Sequence, residues 1–192
     1  MEEDILKYIN KITKKATMPK RILEHFILMG TSTVSDIAKN IDVSLPTAAA
    51  ALNDLMVHGL VKEVGKKETT TGRIPMLYDL NPKAGYFVGA NPEMSHLALT
   101  ATDFCGNPIV EKTNVPYLYE NTVENLEQMG QILNQFIDSL PVKREDILNV
   151  CVNIAERVNA HEGKTYTIFS FNEEPLTKRI SEMIDLPVCI EN

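Results

Sequence analysis

The 192-residue sequence has no tryptophan, only three cysteines and no apolar run near the roughly 20 residues that a membrane-spanning helix needs. Residues 1–4 are acidic and no apolar signal core follows them, so we expect neither secretion nor membrane insertion. Cys105, Cys151 and Cys189 lack paired C-x-x-C spacing, and we expect neither a disulfide framework nor a zinc site within this chain. These absences favour a reducing cytoplasm.

Charge is unevenly distributed along a chain whose length suits one large domain or two small ones. Residues 1–83 carry 12 Lys/Arg and 10 Asp/Glu, whereas the remainder carries 7 and 16, for a formal net charge of −7 overall. A mildly basic front joined to an acidic back favours two modules with different partners. Chance asymmetry is the alternative, and the charge alone does not decide between them.

The front module, residues 1–83, has the pattern of three helices and a wing. Its apolar face begins at Ile5, and a helix that starts near Pro19 ends at Gly30. Ser32 or Thr33 then caps a short helix, which a tight turn follows. The pattern therefore predicts short helices that pack through apolar inner faces.

Ser44 is the next predicted N-cap, and it precedes a helix over Thr47–His58 and a hairpin with a polar tip. Two capped helices across a tight turn, followed by a hairpin, are typical of a winged helix-turn-helix. Its second helix enters the major groove of DNA, and its hairpin reaches the backbone or the minor groove. A scaffold that does not bind DNA, or a winged helix that binds protein, is the alternative.

The outward face of this predicted recognition helix carries four small or polar residues, with Ser44 at the N-cap; they are Thr47, Ala49, Ala50 and Asn53. Asparagine can pair with adenine and alanine can contact a thymine methyl, although alanine is also simply a strong helix former. Because no Arg or Lys lies on this face, we expect specificity to be concentrated elsewhere.

The wing is the more informative candidate. Lys62, Lys66 and Lys67 can neutralise phosphates, with a solvated turn as an equal alternative. They lead into a tip in which Thr71 and Gly72 precede Arg73-Ile74-Pro75, and threonine hydroxyls can donate to phosphate oxygens. Proline keeps the chain before it extended, and a narrow A·T-rich minor groove attracts arginine. We therefore predict Arg73 as a minor-groove contact.

The back module, residues 84–192, changes to strands. Its predicted strands are Tyr86–Ala90, His96–Thr102, Pro108–Val115, Ile147–Ile154 and Val188–Ile190, with helices over residues 122–140 and near Leu176–Ile184. The order β-β-β-α-β-α-β is that of one lobe of an actin-like (ribonuclease H-like) sugar-kinase fold. Because the sequence stops in the last strand, whose edge would be left uncovered, we expect it to be truncated.

Several short motifs occur in order along the chain: Gly59-Leu60-Val61, Gly72-Arg73-Ile74-Pro75, Leu80-Asn81-Pro82, Gly85-Tyr86-Phe87-Val88-Gly89, the turn Asp103 to Asn107, and Leu186-Pro187-Val188 before Glu191-Asn192. With these motifs the chain resembles the ROK family (repressors, open reading frames and sugar kinases), specifically its repressor branch. The resemblance implies an α+β chain: a winged helix-turn-helix in residues 1–83, then the first lobe of a sugar-binding domain that dimerises. It places the second lobe, and the zinc-binding Cys/His cluster of many members, in a missing C-terminal part.

Three departures from the family pattern bear on function. Where the kinases have an aspartate and paired glycines for ATP, this chain has Asn91, Glu93 and Met94, and a carboxylate there would repel phosphate. The Pro-Gly of the sugar-side loop is replaced by residues 155–159, which implies a different sugar or a changed site. The family's catalytic aspartate would follow Asn192. The resemblance leaves Gly163 and Asn192 as candidate ligand residues.

These observations together predict a transcriptional repressor of carbohydrate metabolism, controlled by a sugar or sugar derivative. It would bind A·T-rich double-stranded operator DNA as a homodimer or tetramer. The sequence predicts no catalytic residue and no metal site, because nothing resembles a Ser-His-Asp triad and the histidines are scattered. The alternatives are a ROK-type sugar kinase that keeps a DNA-binding head, and a protein-interaction module that has lost both ligands.

Overall fold

The computed structural model describes residues 5–13, 17–68, 74–171 and 174–192. Packing within the chain divides it into two units, Met1–Ala84 and Gly85–Asn192. Among the described residues, no helix is long and apolar enough to cross a membrane.

The described part of the first unit contains four helices rather than the predicted three. They are α1 (Ile5–Thr13), α2 (Met18–Met29), α3 (Val34–Asn40) and α4 (Leu45–Val57). The extra helix is α1, which buries Tyr8 and Ile12, whereas Ile5 is only partly buried. Tyr8 packs against the end of α4, a contact that local periodicity does not reveal.

Side-chain caps set where these helices begin. Thr17 caps α2, Thr33 caps α3 in a capping box with Asp36, and Ser44 caps α4. Of the two predicted caps for the short helix, the structure uses Thr33. Buried apolar side chains from α2, α3 and α4 fill the core of the unit; they are Ile22, Phe26, Ile37, Ala38, Ala48, Leu52 and Leu55.

The hairpin of the first unit pairs β1 (Val61–Lys66) with β2 (Met76–Leu80) in antiparallel register. Backbone hydrogen bonds in both directions between Ser32 and Tyr78 attach this hairpin to the segment before α3. The Ser32 hydroxyl lies 2.9 Å from Nε2 of the buried His25. Burial lowers the pKa of His25, so this ring is a neutral core group.

The second unit is built on a five-stranded sheet with the order β5-β4-β3-β6-β9. Its strands are β3 (Tyr86–Pro92), β4 (His96–Asp103), β5 (Pro108–Pro116), β6 (Ile147–Asn153) and β9 (Val188–Glu191). Strands β6 and β9 run parallel to β3, and β4 runs antiparallel to it. The predicted order β-β-β-α-β-α-β is present, with a small hairpin, β7 (Val158–Asn159) and β8 (Lys164–Thr165), in the loop after β6.

Helices α5 (Val123–Asp138) and α6 (Leu176–Ile184) share one core with one face of this sheet. Side chains alternate along β3 and β6, so Val88, Ala90, Val150 and Val152 lie in that core. The residues between them on the opposite face are half-buried or exposed. The fold class inferred from the sequence, a winged helix-turn-helix followed by an actin-like lobe, is confirmed.

Candidate nucleic-acid interface and ligand edge

Helix α4 is held rigidly against α3 by a short turn. Asp42 takes a left-handed conformation (φ 51°), and the Val43 amide donates to the Ala38 carbonyl at 2.9 Å. The guanidinium of Arg21, on α2, donates to the Ile41 carbonyl in the same turn. These bonds fix the angle at which α4 leaves the turn.

The sequence-predicted contact residues of α4 lie on its exposed side. Thr47, Ala49, Ala50 and Asn53 are exposed, whereas Ala48, Leu52 and Leu55 on the inner side are almost completely buried. Because residues three and four apart share a helix face, Ala49, Ala50 and Asn53 form one stripe. This stripe presents methyl groups and a single carboxamide.

Ser44 has a structural role at the start of this helix. Its hydroxyl accepts the Thr47 amide at 3.3 Å and lies 2.7 Å from the Thr47 hydroxyl. Both residues are exposed, so the hydroxyl pair is at the surface. The Ser44 side chain is therefore the N-cap of α4.

A cleft of about 750 Å³ lies between the helix-turn-helix and the hairpin. It is lined by Thr33, Val34, Ser35, Leu45, Ala49, Lys66, Ile74, Pro75, Met76 and Tyr78. Ser35 and Tyr78 carry no signal of this role in the sequence, because only the fold brings the start of α3 next to β2. Among the lining residues, Ser35 and Tyr78 carry hydroxyl groups and Lys66 an ammonium group, which are groups that bind phosphate oxygens.

The three predicted phosphate-binding lysines are exposed on or beside β1, but they differ in their partners. Lys67 Nζ lies 3.3 Å from the Asp36 carboxylate. The Thr33 hydroxyl, which donates to Asp36 at 2.8 Å, and then Lys67 hold the pKa of Asp36 below its ordinary value. Lys66 instead lines the cleft, and Lys62 lies opposite Asp79 in the hairpin register.

The remaining predicted contacts of the wing, Thr71, Gly72 and Arg73, lie outside the described residues. The hairpin strands end at Lys66 and begin again at Met76 on either side of them.

Helix α1 is attached to the far end of α4. The Tyr8 ring stacks on the His58 ring at a centroid distance of 3.6 Å, and the Tyr8 hydroxyl donates to the Asp54 carboxylate at 2.5 Å. His58 Nδ1 lies 2.8 Å from the Asp54 carbonyl. The cluster anchors the C-terminal turn of α4.

In the second unit, polar side chains meet where β3 and β6 end. These are neighbouring parallel strands, and the chain crosses between them from one half of the sheet to the other. Such a crossover point is where open α/β sheets bind ligands. The Asn153 amide donates to Asn91 Oδ1 at 2.7 Å across this point, above a cavity of about 260 Å³. No sequence motif marks Asn153, and its position at the end of a predicted buried strand is the only local signal for it.

Two further groups lie on loops that leave the same edge. The Tyr119 hydroxyl is buried without a hydrogen-bond partner among the described residues. Burial, with a smaller effect of the Glu156 charge, raises the pKa of Tyr119 to about 12, so this hydroxyl stays neutral. The side-chain amide of Asn192 donates to the Glu156 carbonyl, which places the predicted Asn192 beside the loop after β6. We call Asn91, Asn153, Tyr119 and Asn192 the ligand edge.

Gly163, the other predicted ligand residue, is buried against the first turn of α6. It has a φ of 66°, and a Cβ added there would lie 2.0 Å from the Thr177 hydroxyl. The need for glycine at this position is thus explained by packing.

The turn between β3 and β4 carries the residues that replace the kinase glycines. Met94 is 87% exposed, and the Glu93 carboxylate lies 3.2 Å from His96 Nε2 and within 3.4 Å of the Asn91 amide. Within the described ranges of the chain, no three His, Cys, Asp or Glu side chains are close enough to hold a metal ion.

The chain is similar in sequence to known repressors over almost its whole length. The chain is 23% identical over 190 residues to the xylose repressor of Caldicellulosiruptor bescii, and 26% identical over 179 residues to that of Staphylococcus xylosus. These matches cover 98% and 90% of the chain but only 46% and 45% of the repressors, so the chain spans about half their length. No family model matches.

Among solved structures, a ROK family transcriptional regulator described as a homolog of the E. coli MLC protein superposes with a TM-score of 0.68 at 15% identity. The superposition covers 91% of this chain and 44% of that one. The resemblance to the repressor branch of the ROK family is confirmed: the sequence relatives are repressors, and the fold is that of a ROK regulator.

Proposed function

We propose that this chain is the DNA-binding and first sugar-binding part of a transcriptional repressor controlled by a sugar or sugar derivative. The observation that carries the proposal is the exposed stripe of α4 beside a cleft that the hairpin closes on its other side. A recognition helix that lies in the major groove is supported by a preceding helix, as α4 is supported by α3. The names of the relatives support the same function.

On DNA, Asn53 and the methyl groups of Ala49 and Ala50 would contact base edges. One sugar-phosphate strand would lie in the cleft, where Lys66 offers an ammonium group and Ser35 and Tyr78 offer hydroxyls. Arg73 would enter the minor groove of an A·T-rich operator, where the negative potential is enhanced. The full regulator would act in the cytoplasm as a homodimer or tetramer, and any zinc site would lie outside this chain.

Fluorescence anisotropy with short duplexes tests the DNA-binding part. We expect Arg73→Ala to weaken binding most on A·T-rich duplexes, and Asn53→Ala to cost about 1–3 kcal/mol on its preferred site. Asn40→Ala, at the exposed end of α3, is the matched control. An equal loss by Arg73→Ala on all duplexes would refute the minor-groove role, and absence of binding to any duplex at low salt would refute DNA binding.

The effector would bind at the ligand edge of the second unit. Asparagine carboxamides and an unpartnered, neutral tyrosine hydroxyl are groups that can pair with sugar hydroxyls. Isothermal titration with D-xylose and a panel of other sugars tests this. We expect Tyr119→Phe and Asn153→Ala to weaken the binding of the sugar that is bound, and Tyr166→Phe, at a 53% exposed residue, to leave it unchanged.

We expect this chain to lack kinase activity. A carboxylate and an exposed methionine stand where the family's kinases need bare backbone beside phosphate, and Glu93 would repel the nucleotide. An ADP-release assay with the same sugars checks this directly, and we expect no release above background.

A further inference from the structure

Two cysteines that are far apart in the sequence lie side by side in the sheet of the second unit. Cys151 on β6 and Cys189 on β9 occupy paired positions of neighbouring parallel strands. Paired residues of adjacent strands point to the same face, and such strands are about 4.8 Å apart. Both cysteines are free and half-buried, and the Cys189 thiol donates to Asn149 Oδ1 at 3.0 Å.

Cys151 lies beside a cavity on this face of the sheet. Cys151 lines the cavity of about 260 Å³ beside Gly89, Thr100 and Asn153. Small residues on the neighbouring strands leave this face of the sheet open enough for a reagent to approach the sulfur. Cys189 lies beside Cys151 at the paired position of the neighbouring strand, so a reagent joined to Cys151 is next to the second sulfur.

We propose that Cys151 and Cys189 form a reversible dithiol–disulfide site whose partner is a small-molecule disulfide of the glutathione type. The Cys151 thiolate attacks one sulfur of the oxidised reagent and releases one reagent thiolate. Cys189 then attacks the Cys151 sulfur and releases the second reagent thiolate. The protein loses two electrons and two protons, and one reagent disulfide becomes two thiols.

The surroundings of the pair set the order of these two attacks. Burial, and then the neighbouring Cys151 thiol, raise the pKa of Cys189 to about 12, so Cys189 offers little thiolate at neutral pH. Cys189 is therefore the second thiol to react. Once Cys151 carries the reagent, its effect on Cys189 is removed, and the second attack is intramolecular, which gives it a high effective concentration.

The spacing of β6 and β9 also predicts that a disulfide between Cys151 and Cys189 is easily reduced. The Cβ atoms of a disulfide are about 3.8 Å apart, which is less than the spacing of two flat parallel strands. β6 and β9 must approach each other slightly to close the bridge, and strained disulfides are the labile ones. Asn153 and Glu191 follow the two cysteines by two positions each, so this movement would reach the ends of both strands.

Mass spectrometry of the purified chain in a Cys105→Ser background tests the site, because Cys105 is the exposed third cysteine. After incubation with oxidised glutathione at pH 8, we expect the protein to lose two hydrogens without gaining glutathione. A peptide map without reductant should then link the peptides of Cys151 and Cys189, and dithiothreitol should restore both thiols.

Two further variants separate a paired site from two independent cysteines. In the same background, Cys151→Ser should react little, because Cys189 is the slower thiol, whereas Cys189→Ser should retain one glutathione on Cys151. The proposal is overturned if the Cys105→Ser protein keeps both thiols, or if it gains two glutathione molecules and no cross-link. If Cys105→Ser fails to fold, the peptide map of the unchanged chain still shows whether Cys151 and Cys189 are cross-linked, carry separate glutathione molecules or remain thiols.

Discussion

At the scale of single residues, Gly163 and Gly106 share a backbone conformation but differ in their surroundings. Both have positive φ, 66° and 83°. A Cβ on Gly106 would meet nothing within 4 Å, whereas one on Gly163 would overlap the hydroxyl, methyl and Cβ of Thr177. The pair therefore separates the cost of backbone strain from the cost of overpacking.

We predict that Gly106→Ala lowers the free energy of unfolding by about 1 kcal/mol through strain alone. Gly163→Ala should lower it by about 3 kcal/mol, because overpacking adds about 1–3 kcal/mol. Urea denaturation followed by circular dichroism measures both. Equal costs for the two variants would contradict the packing explanation. A Gly163→Ala protein of normal stability that no longer binds its sugar would instead support the ligand role.

Residue roles could be predicted from the sequence only where they depend on near neighbours. The exposed stripe of α4 follows from helical spacing around Ala48 and Leu52, and the expected residues are indeed exposed. The hydrogen bond between Asn91 and Asn153 joins residues on separate strands, 62 positions apart. The contact between Gly163 and Thr177 likewise requires α6 to fold back onto the loop. No local pattern contains either pair.

At the scale of secondary-structure elements, Ser44 tests how far α4 depends on its cap. We predict that Ser44→Ala lowers the free energy of unfolding by about 1 kcal/mol, since the Thr47 amide loses its acceptor. Ser44→Asn should keep most of the stability, because asparagine is an equally good N-cap. Thermal denaturation compares the two.

The same two variants also show whether Ser44 contacts DNA. Anisotropy should show normal DNA affinity for Ser44→Asn if the hydroxyl only caps the helix. If Ser44→Asn is stable but binds DNA as weakly as Ser44→Ala, the residue contacts DNA directly.

The attachment of the wing to α3 through Asp36 should depend on pH. The pKa of Asp36 is lowered in the folded chain, so its carboxylate stabilises the fold above the ordinary aspartate value of 3.8, and this contribution is lost as the pH falls through the lower folded value. We predict that Asp36→Asn is less stable than the unchanged chain at pH 7, and that the difference becomes smaller as the pH is lowered towards 3. Urea titrations at both pH values measure this. A constant difference would mean that the charge of Asp36 does not matter.

N-cap residues and hydrophobic periodicity predict where single helices lie. They do not predict how the helices pack against one another. Ser44 is an expected N-cap and is used, as is Thr33, one of the two expected caps of α3. The predicted number of helices in the first unit was wrong, although Ile5, Ile9 and Ile12 have helical spacing in α1. The sequence pattern does not reveal that Tyr8 of α1 contacts His58 and Asp54 at the end of α4. A pairing over 46 positions is a property of the tertiary fold.

At the scale of the whole molecule, the order of strands along the chain was predictable and their order in the sheet was less so. Each strand is a local apolar run between turn residues. The sheet order β5-β4-β3-β6-β9 depends on the crossover through α5. That crossover puts β6 beside β3 and so creates the ligand edge, and the later crossover through α6 puts β9 beside β6 and so creates the cysteine pair.

The uneven charge of the chain leads to a prediction for salt dependence. An overall charge of −7 opposes DNA binding, so in the proposed complex the exposed cations of the first unit would supply the phosphate contacts. Each phosphate contact adds about one unit to the slope of log affinity against log salt concentration. Lys66 lines the cleft, whereas Lys67 is already paired with Asp36.

We therefore predict that Lys66→Ala reduces this slope by about one and weakens binding to all duplexes alike. Lys67→Ala should reduce the slope less, because the Asp36 carboxylate already neutralises part of its charge. Anisotropy titrations at several potassium chloride concentrations measure the slopes, with Lys178→Ala, a paired lysine of the second unit, as the control. If Lys66→Ala leaves the slope unchanged while Lys178→Ala reduces it, phosphate lies against the second unit and the cleft does not hold the DNA strand.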